Sequence, residues 1–165
     1  MATLDRTSSS AVFSTGSSTY DVFVSFRGDT RYNFTSFLIR ALKNRGINVF
    51  SDTKDLWNGE AIDPALLRAI EGSKIFIPVF SKDYANSEWC LLEIAQIFQR
   101  HRSNHQKILS IYFKVVPNDV QNQEGSFKEA FLKHEKNFEP HIVEGWREAL
   151  REIGKLRGEV IDKKT

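Results

Sequence analysis

From Tyr20 onward, short apolar runs alternate with longer amphipathic ones. "YDVFVSF" (20–26) is β-branched and aromatic and reads as a strand. Residues 30–45 read as a helix, ended by Gly46 in the left-handed position that closes helices. "INVF" (47–50) is the next strand, and "SDTKDLWNGEA" (51–61) is a polar loop with a turn at Asn58-Gly59. Asp63 and Pro64 form an N-cap and first-position pair opening a helix to Gly72. "KIFIPVF" (74–80) and "KILSIYF" (107–113) are the third and fourth strands. An irregular stretch follows, then two helices at 126–137 and 143–156.

The helix between the third and fourth strands has a pattern of its own. In "SEWCLLEIAQIFQR" (87–100), Ser87 is the N-cap and Glu88 lies in the first turn. Cys90, Leu91, Leu92, Ile94, Ala95, Ile97 and Phe98 cover most of the helical wheel. One narrow sector holds Trp89, Glu93, Gln96 and Arg100. Such a stripe usually faces water, and Glu93 is then a solvated carboxylate. The other reading is that the stripe lines a cleft, with Trp89 as a platform and Glu93 as the reacting group. The pattern alone favours the first.

Strand and helix alternate, with crossovers long enough for helices, so the expected fold is α/β. The layout is a flavodoxin-like, doubly wound parallel sheet of about five strands with helices on both faces. Ligands in such folds bind beyond the carboxyl ends of the strands. The loops at 27–31, 51–61, 81–88 and 114–124 are expected on that edge. Residues 1–19 differ in composition: ten of them are Ser or Thr, and they read as a flexible leader. The ordered domain is expected over 20–157, with 158–165 as a tail.

Composition narrows the function classes. The chain has 165 residues, 41% hydrophobic and 27% charged, ordinary for one globular domain. A net charge of +2 gives no general case for nucleic acid or an acidic membrane surface. The single cysteine, Cys90, sits inside an apolar helix, so it reads as a small buried hydrophobe in a reducing compartment. No run approaches the length of a membrane span. G-x-G-x-x-G, Walker-A and G-x-S-x-G motifs are absent, and His101, His105, His134 and His141 lack metal-ligand spacing.

Longer motifs are more specific. "YDVFVSFRGDTR" (20–31), "FTSFLIRAL" (34–42), "IEGSKIFIPVFSKDYANSEWCLLEI" (70–94) and "GSFKEAF" (125–131) closely resemble the plant-type Toll/interleukin-1 receptor (TIR) domain. The resemblance runs from Tyr20 to about Arg157. It departs in a shortened 28–29 turn, in Asn58, Val116 and Gln121, and in Glu159 after Gly158, where tryptophan is usual.

The resemblance implies a signalling domain of plant innate immunity and cell death, in the cytoplasm or nucleus. It implies hydrolysis of NAD+ or NADP+ at the nicotinamide–ribose bond, with no other cofactor and no metal. The catalytic residue would be Glu93, the glutamate of the family's W-C-L-x-E motif, here Trp89 to Glu93. Arg27, Gly28, Asp29, Thr30 and Arg31 would bind the substrate's diphosphate, with Gly59 and Trp89 completing the site. It also implies contacts with other TIR domains through the first helix (Ser36, Phe37), the last helix (Trp146 to Ile153) and loop 51–61. Of these, Phe37 is expected in the core and Trp146 partly exposed. A non-catalytic adaptor and an enzyme making cyclic nucleotides from nucleic acid are the competing functions.

Overall fold

In the computed structural model of the protein, residues 20–51 and 64–162 are described, apart from the side chains of Arg31 and Tyr32. The leader, and the loop with Gly59 and the Asp63 cap, lie outside those residues. Six strands form one sheet: β1 (Tyr20–Phe26), β2 (Val49–Ser51), β3 (Ser73–Phe80), β4 (Lys107–Ile108), β5 (Ser110–Phe113) and β6 (Gly158–Ile161). Their order is β2-β1-β3-β5-β6, with β4 also on β3, and every pairing is parallel. The helices are α1 (Ser36–Asn44), α2 (Pro64–Glu71), α3 (Glu88–Asn104), α4 (Pro117–Asn122), α5 (Ser126–Asn137) and α6 (Pro140–Ile153). This is the expected flavodoxin-like layout.

The strand period of two divides the core. Phe23, Phe76, Phe80 and Tyr112 face α2 to α6, while Val22, Val24, Phe26, Ile77 and Val79 face α1 and the turn before it. Rings tie the first layer together: Phe23 stacks on Phe50 at 5.2 Å and Phe80 on Tyr112 at 5.5 Å.

Several boundaries differ from the pattern reading. The fourth strand is divided at Leu109, but Ile75 faces Lys107 and Val79 faces Ile111, so both pieces keep one register on β3. The first helix does not begin at residue 30. A 3-10 turn (Gly28–Thr30) and a π-helical turn (Arg31–Thr35) precede it. The hydroxyls of Thr30 and Thr35 lie 2.6 Å apart and Thr30 donates to the Arg27 carbonyl, local bonds that compete with a regular helix. Within the stretch read as irregular, α4 is a single short helix opened by Pro117 and anchored by buried Val120. It is too short to show a period. Pro140 likewise opens α6 ahead of the expected start. Gly158–Ile161, read as part of a tail, is strand β6 at the sheet edge.

Two aromatic expectations are reversed. Phe37 is 64% exposed, because Leu38 and Leu42, with Phe34 of the preceding turn, form the inward row and leave Phe37 turned out. The Arg40 guanidinium lies over its ring at 5.8 Å. Trp146 is only 3% exposed, on the buried row Val143, Trp146, Leu150 and Ile153. Its ring packs edge-on against His134 at 5.5 Å and Phe138 at 5.1 Å.

Candidate active site at the carboxyl edge of the sheet

All strands run in parallel, so the ends of β1 and β3 and the start of α3 meet at one edge. Ser87 caps α3, its hydroxyl accepting from the Cys90 amide at 3.2 Å. The next turns carry Trp89, half-buried, and Glu93, which is 1% exposed. The solvated reading of Glu93 therefore fails. Its sector of α3 is turned towards the end of β1, and Ser25 Oγ donates to Glu93 Oε1 at 2.7 Å. Tyr84 Oη lies 2.8 Å from Ser25 Oγ and donates to the Cys90 carbonyl at 3.3 Å. The Cys90 thiol is buried and donates to the Phe26 carbonyl at 3.5 Å. A buried carboxylate is costly unless hydrogen-bonded, and Ser25 supplies such a bond.

Of the other residues picked out by sequence, Arg27 to Arg31 follow the end of β1 at this edge. Arg27 and Gly28 are exposed at the end of β1. A Cβ built on Gly28 would meet nothing within 4 Å, so open space lies beside that backbone. Asp29 is exposed but accepts from Ser81 at 2.9 Å, joining the turn after β1 to the end of β3. Although the residue as a whole is exposed, partial desolvation of its carboxyl pushes it above its ordinary 3.8; the Ser81 hydrogen bond opposes this and the Asp83 charge adds to it. Thr30 is buried, its hydroxyl spent inside the turn. Arg31 enters the π-helical turn by its backbone. Gly59 lies outside the described residues.

Ser25 and Tyr84 were missed from sequence. Ser25 carried a signal: it is a polar residue on the inward side of an apolar strand, in phase with Phe23. Tyr84 carried none, because its hydroxyl meets Ser25 only through the fold.

The arrangement offers a buried, oriented carboxylate beneath an edge bearing an arginine, an open glycine backbone and the amino end of a long helix. Helix amino ends favour anions. Among the described residues no helix is long and apolar enough to cross a membrane.

Comparison with known proteins agrees with this architecture. The profile of the family described as TIR domain matches residues 19–165. Disease resistance protein RPV1 of Vitis rotundifolia is 49% identical over 141 residues, 85% of this chain and 10% of the relative. TMV resistance protein N of Nicotiana glutinosa is 43% identical over 142 residues, 84% of this chain and 12% of the relative. The chain thus spans about a tenth of the length of these curated relatives. Among solved structures, the TIR domains of the activated Roq1 resistosome, which directly recognises the pathogen effector XopQ, superpose with a TM-score of 0.78 at 38% identity. That match covers 87% of this chain and 88% of the other. The chain belongs to the TIR domain family, in its plant type.

Proposed function

We propose that this domain signals in plant innate immunity by self-associating and hydrolysing NAD+ or NADP+ at the nicotinamide–ribose bond, with Glu93 as the catalytic carboxylate. The observation that carries the reading is Glu93 itself, buried at the carboxyl edge and held by Ser25. A carboxylate sequestered there at a desolvation cost is more easily explained by chemistry than by stability. The immune role rests on the resistance proteins and the resistosome to which the chain is similar. Its proposed place of action is the cytoplasm, with the nucleus as the alternative.

The chemistry suits one carboxylate. An ordinary glycoside needs a second group to protonate its leaving oxygen. Nicotinamide is attached as a cationic pyridinium and leaves neutral, so no general acid is needed. The bond from the ribose C1′ to the pyridinium nitrogen breaks with its electron pair going to nicotinamide. A water oxygen bonds to C1′ and releases a proton to solvent. Glu93 stabilises the positive charge that develops on the ribose between these events. Trp89, one turn earlier on α3, offers a ring face to the ribose or nicotinamide. The Arg27 guanidinium grips the diphosphate, with backbone N–H groups near Gly28 and Arg31 as further donors. Asp29 fixes the turn through Ser81, and Thr30 fixes it from below. Gly59, on loop 51–61, completes the site against a neighbouring copy.

A non-catalytic adaptor is the second reading, favoured by exposed Phe37 on α1 as a contact surface. Nicotinamide release from NAD+ and from NADP+, followed across a series of protein concentrations, separates the two. The enzyme reading predicts release rising more steeply than linearly with concentration, because assembly completes the site. No release at any concentration leaves the adaptor.

A further inference from the structure

Glu93 is buried beside two hydroxyl side chains. We infer that Ser25 is a positioning residue for Glu93, orienting the carboxylate by its hydroxyl while Tyr84 holds Ser25 in turn. The inference rests on the proposed role of Glu93 and extends it to residues outside the motif that carries it.

Ser25 is fully buried on β1, opposite Pro78 of β3 and one residue past the last β1–β2 pair, Val24 with Ser51. Its strand stays in register with β3 through Phe26 and Val79, and the side chain is fully enclosed, so its hydroxyl is a fixed reference for a side chain on α3. The Ser25 proton is directed to Glu93 Oε1 at 2.7 Å. Tyr84 is fully buried in the turn before α3, with its ring edge-on to Phe80 at 5.0 Å. Its hydroxyl shares its proton between Ser25 Oγ, at 2.8 Å, and the Cys90 carbonyl, at 3.3 Å. The hydroxyls therefore form a chain ending on the carboxylate. Glu has three side-chain torsions, and its last one is broad. A short bond from a fixed donor to one carboxylate oxygen narrows the range of angles that the carboxylate plane can take. Buried serines are often no more than satisfied polar groups, and the test must separate that role from positioning.

The experiment uses Ser25→Ala, Ser25→Thr and Tyr84→Phe in the full chain. Steady-state NAD+ turnover and thermal melts are measured for each, with crystal structures of the unmutated protein and Ser25→Ala. Positioning predicts that Ser25→Ala lowers kcat by about tenfold to a hundredfold with KM within about twofold, since small misplacements of a reacting group cost rates of that order. Ser25→Thr, which restores a hydroxyl, recovers most of kcat even if its extra methyl lowers the melting temperature. Tyr84→Phe keeps the ring and gives a smaller loss in kcat. In the Ser25→Ala crystal the Glu93 carboxylate turns from its original plane. Unchanged kcat in Ser25→Ala, with only the melting temperature affected, overturns the inference, as does an unchanged carboxylate orientation. If the unmutated protein releases no nicotinamide, the proposed function fails, and the two crystal structures still decide whether Ser25 orients Glu93.

Discussion

Asp29 Oδ1 accepts a hydrogen bond from Ser81 Oγ at 2.9 Å, bridging the turn after β1 and the end of β3. The bond orders two loops of the candidate site, and it does so with a carboxyl that burial pushes above its ordinary 3.8, the Ser81 bond opposing and Asp83 adding to the shift. The folded state then holds the Asp29 proton more tightly than the unfolded chain does. Stability falls as pH rises through the window just above 3.8, and at neutral pH the ionised group is a net cost. Asp29→Asn keeps an oxygen for Ser81 without the charge. The variant should melt above the unmutated protein near neutral pH, and the gap should shrink as the pH falls into the carboxylate range. Paired thermal melts over that range check this; a lower melting temperature for Asp29→Asn at neutral pH contradicts it.

Phe37 and Trp146 call for opposite outcomes. With Phe37 at 64% exposure, Phe37→Ala should leave the melting temperature nearly unchanged and weaken self-association, read by light scattering. Trp146, at 3%, fills the space between His134 and Phe138, and Trp146→Ala should cost about 3–5 kcal/mol in denaturant unfolding. A large stability loss from Phe37→Ala would show that α1 is covered in solution.

Gly158 tests the edge strand. A Cβ there would lie 2.7 Å from the Ser110 carbonyl oxygen and 2.8 Å from Tyr112 Cε2. Gly158→Ala should therefore destabilise the domain by about 1–3 kcal/mol, because the backbone of β5 must give way. A neutral substitution would mean that β6 is not seated on β5 in solution.

The architecture was legible because apolar runs and helical periods are long over most of this chain. β1, β3 and α3 carry the clearest patterns, and they are the elements that build the site. Short elements were not legible. α4 has one buried apolar side chain, Val120, and β6 exposes two of its four residues, so neither produces a period. Phe37 and Trp146 were misplaced for another reason. Each sits on an amphipathic helix whose inward row is set by its neighbours, Leu38 and Leu42 in one case and Val143 and Leu150 in the other. The burial of Glu93 depends on where α3 lies over β1, a tertiary relation that a helical wheel does not contain. Tyr84 was invisible as a site residue for the same reason, whereas Ser25 was marked only as a polar residue on an inward row.

The most direct measurement is nicotinamide release by the unmutated protein and by Glu93→Gln, at concentrations high enough for assembly. Gln keeps the size of the side chain and an oxygen for the Ser25 hydroxyl, so the fold should persist and the melting temperature should hold or rise. What it removes is the negative charge on which the proposed function depends. Release by Glu93→Gln should fall by about a hundredfold or more while self-association is retained. Release by Glu93→Gln equal to that of the unmutated protein would contradict the catalytic role of Glu93.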